Sequence, residues 1–223
     1  QHNTVSDNTD LEHERENTIF SRQMFVNWKK NKINILDTPG FDDFVGEVIA
    51  NLKVADTALI MVNAAAGVEV GTELVWEYVE DYKTPSIFVI NQMDHQKADY
   101  DAALEQLKNR FGSKVIPIQY PLNSGESFNQ IVDALRMVMY EFPATGGKPE
   151  KKPIPESEMA RANEMHNALV EMAAENEEGL MEKYFEEGNL SEEELAQGLM
   201  IGLAKHDFFP VFVASGAKDM GSG

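Results

Sequence analysis

Ile33-Asn34-Ile35-Leu36-Asp37-Thr38-Pro39-Gly40 decides the fold once it is set beside Ile87-Phe88-Val89-Ile90-Asn91-Gln92-Met93-Asp94. Each run is an apolar segment of strand length that ends on a polar turn. An Asp at a strand end, followed by a Pro-Gly turn, can reach a magnesium ion and present a backbone N–H to a terminal phosphate. An Asn and an Asp three apart at a second strand end can read the hydrogen-bonding edge of a guanine. A later apolar run, residues 210–213, leads into Ser215-Gly216-Ala217-Lys218. Taken singly these motifs are weak, because D-x-x-G fits many ordinary turns and N-x-x-D often caps a helix. Their order on three strand ends is far more specific. It describes a guanine-nucleotide site at the carboxyl edge of an α/β sheet.

The pattern outward from these runs is consistent with that edge. Residues 24–28 and 33–36 read as strands joined by a polar turn at 29–32. Residues 44–54 read as a helix, Ala58–Asn63 as a strand, 73–82 as a helix, 87–90 as a strand and 99–111 as an amphipathic helix. Such alternation predicts a mostly parallel sheet flanked by helices. The rhythm changes near Gly112. Residues 115–120 read as one strand, 128–135 as a short amphipathic segment and 146–155 as loop. Met159, Ala162, Met165, Leu169 and Met172 recur at helical spacing, and Ser191-x-x-Glu194 has the spacing of a capping box for a last helix. Residues 113–205 therefore read as an α+β insertion within a domain formed by 1–112 and 206–223.

Composition narrows the classes. The 223 residues are 43% apolar, enough for one full core with a smaller appended unit. No apolar run approaches the roughly 20 residues of a membrane helix, and residues 1–10 resemble no secretory signal. Cysteine is absent, which fits a reducing, cytoplasmic setting and removes thiolate metal sites and cysteine nucleophiles. A net charge of −19 repels phosphate backbones, so direct nucleic-acid binding by this chain is not expected. Residues 150–205 hold fourteen Glu against five Lys or Arg. That excess is either a solvated helix face or a docking surface for a basic partner. His13, His95, His166 and His206 stand in polar runs and read as surface residues, while Trp28 and Trp76 read as packing residues.

Roles follow from the chemistry of the runs. Asp94 would accept from the N1–H and exocyclic amine of guanine, a pair that adenine lacks. Asn91 would tie the base-reading loops together and touch the ring. Ser215 with the Gly216 and Ala217 amides would back the pocket near the guanine O6. Asp37 would hold magnesium through water, and the Gly40 amide would sense a γ-phosphate. Thr18 is either a further magnesium ligand or an ordinary surface threonine.

These motifs, with Thr4-Val5-Ser6-Asp7, Glu12-x-Glu14-Arg15-x-x-Thr18-Ile19 and Gly67-Val68-Glu69 leading to Val75-Trp76, resemble elongation factor G, the translocation GTPase. The resemblance covers the insertion as well, through Val115-Ile116-Pro117-Ile118-Gln119, Glu177-Glu178-Gly179-Leu180-Met181-Glu182-Lys183-Tyr184 and Leu190-Ser191-Glu192-Glu193-Glu194. It implies a P-loop-NTPase-like fold, GTP or GDP with Mg2+, and action on the ribosome during elongation. It also implies that the insertion contacts the ribosomal stalk protein.

Three departures accompany the resemblance. The chain has no G-x-x-x-x-G-K-[ST] phosphate loop, which the family would place with the first strand ahead of Gln1. A fragment that has lost tight nucleotide binding, and is inactive on its own, is expected. Phe41 stands where the family has the His that orients the attacking water, and Gln92 stands where it has Lys. Phe can neither donate nor accept that hydrogen bond, so slow hydrolysis is expected. Two readings remain: a GTP-binding translation-factor domain, or a ribosome-binding paralogue with little or no hydrolysis. A signalling or membrane-remodelling GTPase fits the core motifs but not residues 113–205.

Overall fold

The computed structural model describes residues 6–221. Thr4 and Val5 of the first quoted family motif, and most of the polar start, lie outside the described residues. The chain divides into two compact units, one of residues 1–58 and 70–84, the other of 59–69 and 85–223.

The first unit opens with the short helix α1 (Asp10–Arg15), whose capping box pairs Thr9 with Glu12. Strands β1 (Arg22–Trp28) and β2 (Asn31–Asp37) form an antiparallel ribbon with Met24 opposite Ile35 and Val26 opposite Ile33. The turn is tighter than the polar run predicts: Lys29 takes a left-handed φ of 53°, and Asn31 and Lys32 join the ladder. Because side chains alternate along a strand, Met24, Val26, Trp28, Ile33 and Ile35 share one face of the ribbon. Trp28 is 56% exposed there, with Lys29 Nζ 4.1 Å from its ring, so the expectation that it packs into a core is corrected. Trp76 is buried as expected. It lies on α3 (Val70–Tyr82), which packs beside α2 (Val45–Leu52) through the apolar faces that Val48, Leu52 and Val79 mark.

The second unit holds β3 (Ala58–Asn63, all but its first residue) and β4 (Ser86–Asn91). Helix α4 (Tyr100–Phe111) follows, capped by Asp99, and then β5 (Val115–Pro117). Three antiparallel pairings join β6 (Gln119–Pro121), β7 (Gln130–Asp133), β8 (Val138–Glu141) and β9 (Glu150–Lys152) into one meander. Helices α5 (Met159–Glu175), α6 (Glu178–Glu187) and α7 (Glu192–Ala204) precede the last strand, β10 (Phe209–Val213). The main sheet runs β3-β4-β10-β5, with β10 parallel to both β4 and β5. Its inner residues Phe88, Ile90, Val211 and Val213 are fully buried. The fold is α/β, with a parallel sheet flanked by helices.

Four expectations from the sequence change. The predicted strand 115–120 is two strands in two different sheets. At Ile118 the chain crosses over, its amide still donating to Val211 O of β10 while its carbonyl accepts from Ala134 N. The first strand of the stretch expected as insertion therefore belongs to the main sheet. Residues 146–155 are not all loop, because Glu150–Lys152 closes the meander, with Lys152 paired to Glu141 on the neighbouring strand. Proline on either side keeps this edge strand short. His206 is buried rather than at the surface, and it packs edge-on against Phe209. Helix α6, which the periodicity did not single out, turns Leu180 into a core shared with Leu169, Ala173, Leu195, Leu199 and Phe208. Helix α7 starts at the predicted capping box, with Ser191 accepting from the Glu194 amide. Gly198 lets α7 approach α5, since a methyl group there would sit 2.4 Å from Ala173 O.

Candidate functional site

Parallel pairing of β4 and β10 sets Val213 level with Ile90, so the loops that follow both strands leave the sheet side by side. They are laced together. Ala214 N donates to Ile90 O at 3.0 Å, and Met93 N donates to Ala214 O at 3.3 Å. Gly216 N donates to Asn91 Oδ1 at 3.0 Å, and the Ser215 hydroxyl donates to Asp94 Oδ1 at 2.6 Å. Ser215 and Met93 are fully buried, forming a floor, while Asn91 and Asp94 are half-buried above it. A third loop, after β3, joins through Ala64 N, which donates to Asn91 O at 2.9 Å.

This geometry leaves specific groups available. Asp94 takes one hydrogen bond from the described residues, on Oδ1, and its other oxygen takes none. The amide nitrogen of Asn91 donates to none of them. A fixed carboxylate beside a free amide donor is a complement to a planar base that offers two adjacent N–H donors and a ring acceptor. Adenine would leave the second Asp94 oxygen without a partner, and an unmet acceptor shut off from water by a bound base costs about 1–3 kcal/mol. The guanine ring thus fits the residues present. Gln92 sits at the rim with a left-handed φ of 62°, its Oε1 accepting from Asn63 Nδ2 at 3.0 Å. Sequence reasoning did not find Asn63, since an amide paired with an amide 29 positions away leaves no local pattern. Ala217 is exposed beside Gly216.

The remaining candidates lie in the first unit. Asp37 ends β2, Pro39 is buried in the turn, and Gly40 is exposed, with open space where a side chain would stand. Phe41 is 58% exposed. The Thr18 hydroxyl donates to Asp7 Oδ1 at 2.8 Å. Among the described residues no cluster of three or more Asp, Glu or His side chains is arranged to hold a metal ion. Asp37 and Thr18 alone do not make a complete magnesium site, and the sequence carries no glycine-rich phosphate cradle.

The segment carrying Thr18 is organised by Glu12, a role the sequence signalled only through its Thr9-x-x-Glu12 spacing. The Glu12 carboxylate is 1% exposed. It accepts from Thr9 Oγ1 at 2.6 Å, from the Thr9, Ile19 and Phe20 amides at 3.2 Å each, and from Arg22 at 3.3 Å. Foremost the Thr9 hydroxyl, and then these amides, hold its pKa down at about 2 against the opposing pull of burial.

Comparison with known proteins agrees with this geometry. The family model described as the elongation factor Tu GTP binding domain matches residues 1–222. An elongation factor G-like protein of Thermotoga maritima is 34% identical over 211 residues, which are 95% of this chain and 30% of that protein. A crystal structure of a protein from Thermus thermophilus superimposes with a TM-score of 0.89 at 30% identity, covering 97% of this chain and 32% of that one. The chain thus spans about a third of the length of these relatives. The matched residues show that the chain belongs to the elongation factor Tu GTP-binding-domain family.

Proposed function

We propose that this domain reads guanine through Asp94 and Asn91 and serves a factor that works on the ribosome in the cytoplasm during elongation. The observation that carries the reading is the Ser215–Asp94 and Gly216–Asn91 lattice, which fixes a carboxylate and an amide as complements to one base edge. In the protein as its gene encodes it, GTP or GDP would bind with Mg2+. Asp37 and Thr18 would serve the metal, and the Gly40 amide the terminal phosphate. When bound, the magnesium ion would supply charge neutralisation at the phosphates. Gln92 replaces a charged anchor with a neutral one, consistent with weaker nucleotide affinity. The acidic helices α5 to α7 would present the insertion to the ribosomal stalk protein, and the net charge of −19 argues against direct nucleic-acid contact.

A second reading is favoured by Phe41. With no donor or acceptor on the side chain of residue 41 to orient water, the protein would occupy the ribosome with little hydrolysis.

The test is an exchange of hydrogen-bonding sense. Asp94→Asn should weaken GDP binding by about 10- to 100-fold, the cost of one mismatched buried polar pair. It should strengthen binding of xanthosine diphosphate, whose C2 carbonyl accepts where guanine donates. Competition binding by the full-length protein reads both. An unchanged ratio between the two nucleotides would remove Asp94 from the base site.

A further inference from the structure

The meander β6 to β9 turns twice at the same end, between β6 and β7 and between β8 and β9. In an antiparallel four-strand order these two turns must share an end. Both reach the base-reading loops. From the first turn, Gly125 N donates to Met93 O at 2.8 Å, one residue before Asp94. The carbonyl of its neighbour Glu126 accepts from Lys218 Nζ at 2.7 Å. From the second turn, Gly147 N donates to Asp219 O at 2.9 Å. Gly146, with φ of 75°, lies so close that a methyl group on it would fall 1.9 Å from Lys218 O. Lys218 is the shared target, and its own amide donates to Ser215 Oγ at 3.2 Å, the hydroxyl that in turn donates to Asp94.

We infer that the antiparallel meander is part of the base pocket: Gly146 and Glu126 hold Lys218, and Lys218 holds the Ser215 hydroxyl on Asp94. The inference rests on the reading of Asp94 as the base-reading group and deepens it. Gly146, Glu126 and Lys218 are positioning residues, since each acts on the base only through Ser215 and Asp94. Glycine is required at 146 both by the left-handed backbone and by the nearness of a carbonyl that has no flexible side chain to yield. Displacing the loop by even a few tenths of an ångström changes the angle at which the carboxylate meets two parallel N–H donors. Discrimination between bases should therefore suffer before overall folding does.

The readout is the ratio of dissociation constants for GDP and inosine diphosphate, which lacks the 2-amino group, measured on the full-length protein. Gly146→Ala should lower the preference for GDP by about tenfold, through loss of one well-aligned hydrogen bond. Lys218→Met, which removes the Glu126 contact and adds no bulk, should shift it in the same direction and carries the test if Gly146→Ala does not fold. Gly188→Ala is the control. It has a similar positive φ, 74°, and open space around the added methyl, at the end of α6. It should destabilise slightly and leave the ratio alone. An unchanged ratio in both Gly146→Ala and Lys218→Met would overturn the inference. If Asp94→Asn also failed to exchange xanthine for guanine, the parent reading would fall instead.

Discussion

Phe41 is a residue whose chemistry can be read without its neighbours. Its ring stands 58% exposed directly after Gly40 and has no proton to give or lone pair to take one. Replacing it with a group that has both should restore what it withholds. Phe41→His in the full-length protein should raise ribosome-stimulated GTP hydrolysis by about 10²-fold or more, the usual worth of a placed acid–base group. Single-turnover release of phosphate measures it, and equal rates in the two proteins would show that water is oriented by something other than residue 41. Asn91, Asp94 and Ser215 were legible for a simple reason: each follows its strand within a few positions, and strand ends are easy to place. Asn63, Glu126 and Gly146 were not. They serve the same loops from positions far away in the chain, and they do so largely through backbone groups or an amide that any sequence offers.

At the scale of elements, legibility followed length and capping chemistry. Helix α7 was marked by the cap Ser191 and Glu194, a local event, and α4 by its amphipathic spacing over twelve residues. The strands of the meander are three or four residues long, too short for alternation to register, and their pairing is decided by partners rather than by propensity. The segment from Thr9 to Arg22 shows one carboxylate replacing a hydrophobic core. Glu12 has a folded pKa of about 2 against an ordinary value of 4.5. Depression means that the stabilisation is fully present above pH 4.5 and is lost as pH falls from there through 2. Protection of the Ile19 and Phe20 amides against hydrogen exchange should fall across that window. In Glu12→Gln it should already be low at neutral pH. Protection that held to about pH 2 in the unmodified protein would show that the loop is tied down elsewhere.

For the molecule as a whole, alternation of strand and helix in the first hundred residues pointed to a parallel sheet, which β10 completes from far along the chain by pairing with β4 and β5, and the change of rhythm near Gly112 pointed to a second kind of architecture. The crossing point could not be read. Val115 to Gln119 looks continuous because both sheets accept the same alternation, and the change of partner falls within one residue, Ile118, whose amide bonds Val211 and whose carbonyl bonds Ala134. The global charge was legible from composition alone, and it sets the terms on which copies of this chain meet. Opposing it is the ribbon β1–β2, whose Val26, Trp28, Ile33 and Ile35 are all more than 40% exposed on one face. Electrostatic repulsion reaches about 10 Å at 0.1 M salt and about 3 Å at 1 M. Light scattering should therefore show single chains in dilute buffer and rising mass in concentrated sodium chloride. The double variant Trp28→Ser, Ile33→Thr should abolish the rise, and a rise that survived it would place the contact elsewhere. The ribbon makes this polyanion behave as a detergent molecule does, with a charged bulk and one greasy stripe. It should pass freely over phenyl resin in weak buffer, cling to it in ammonium sulfate, and elute again as the salt is diluted.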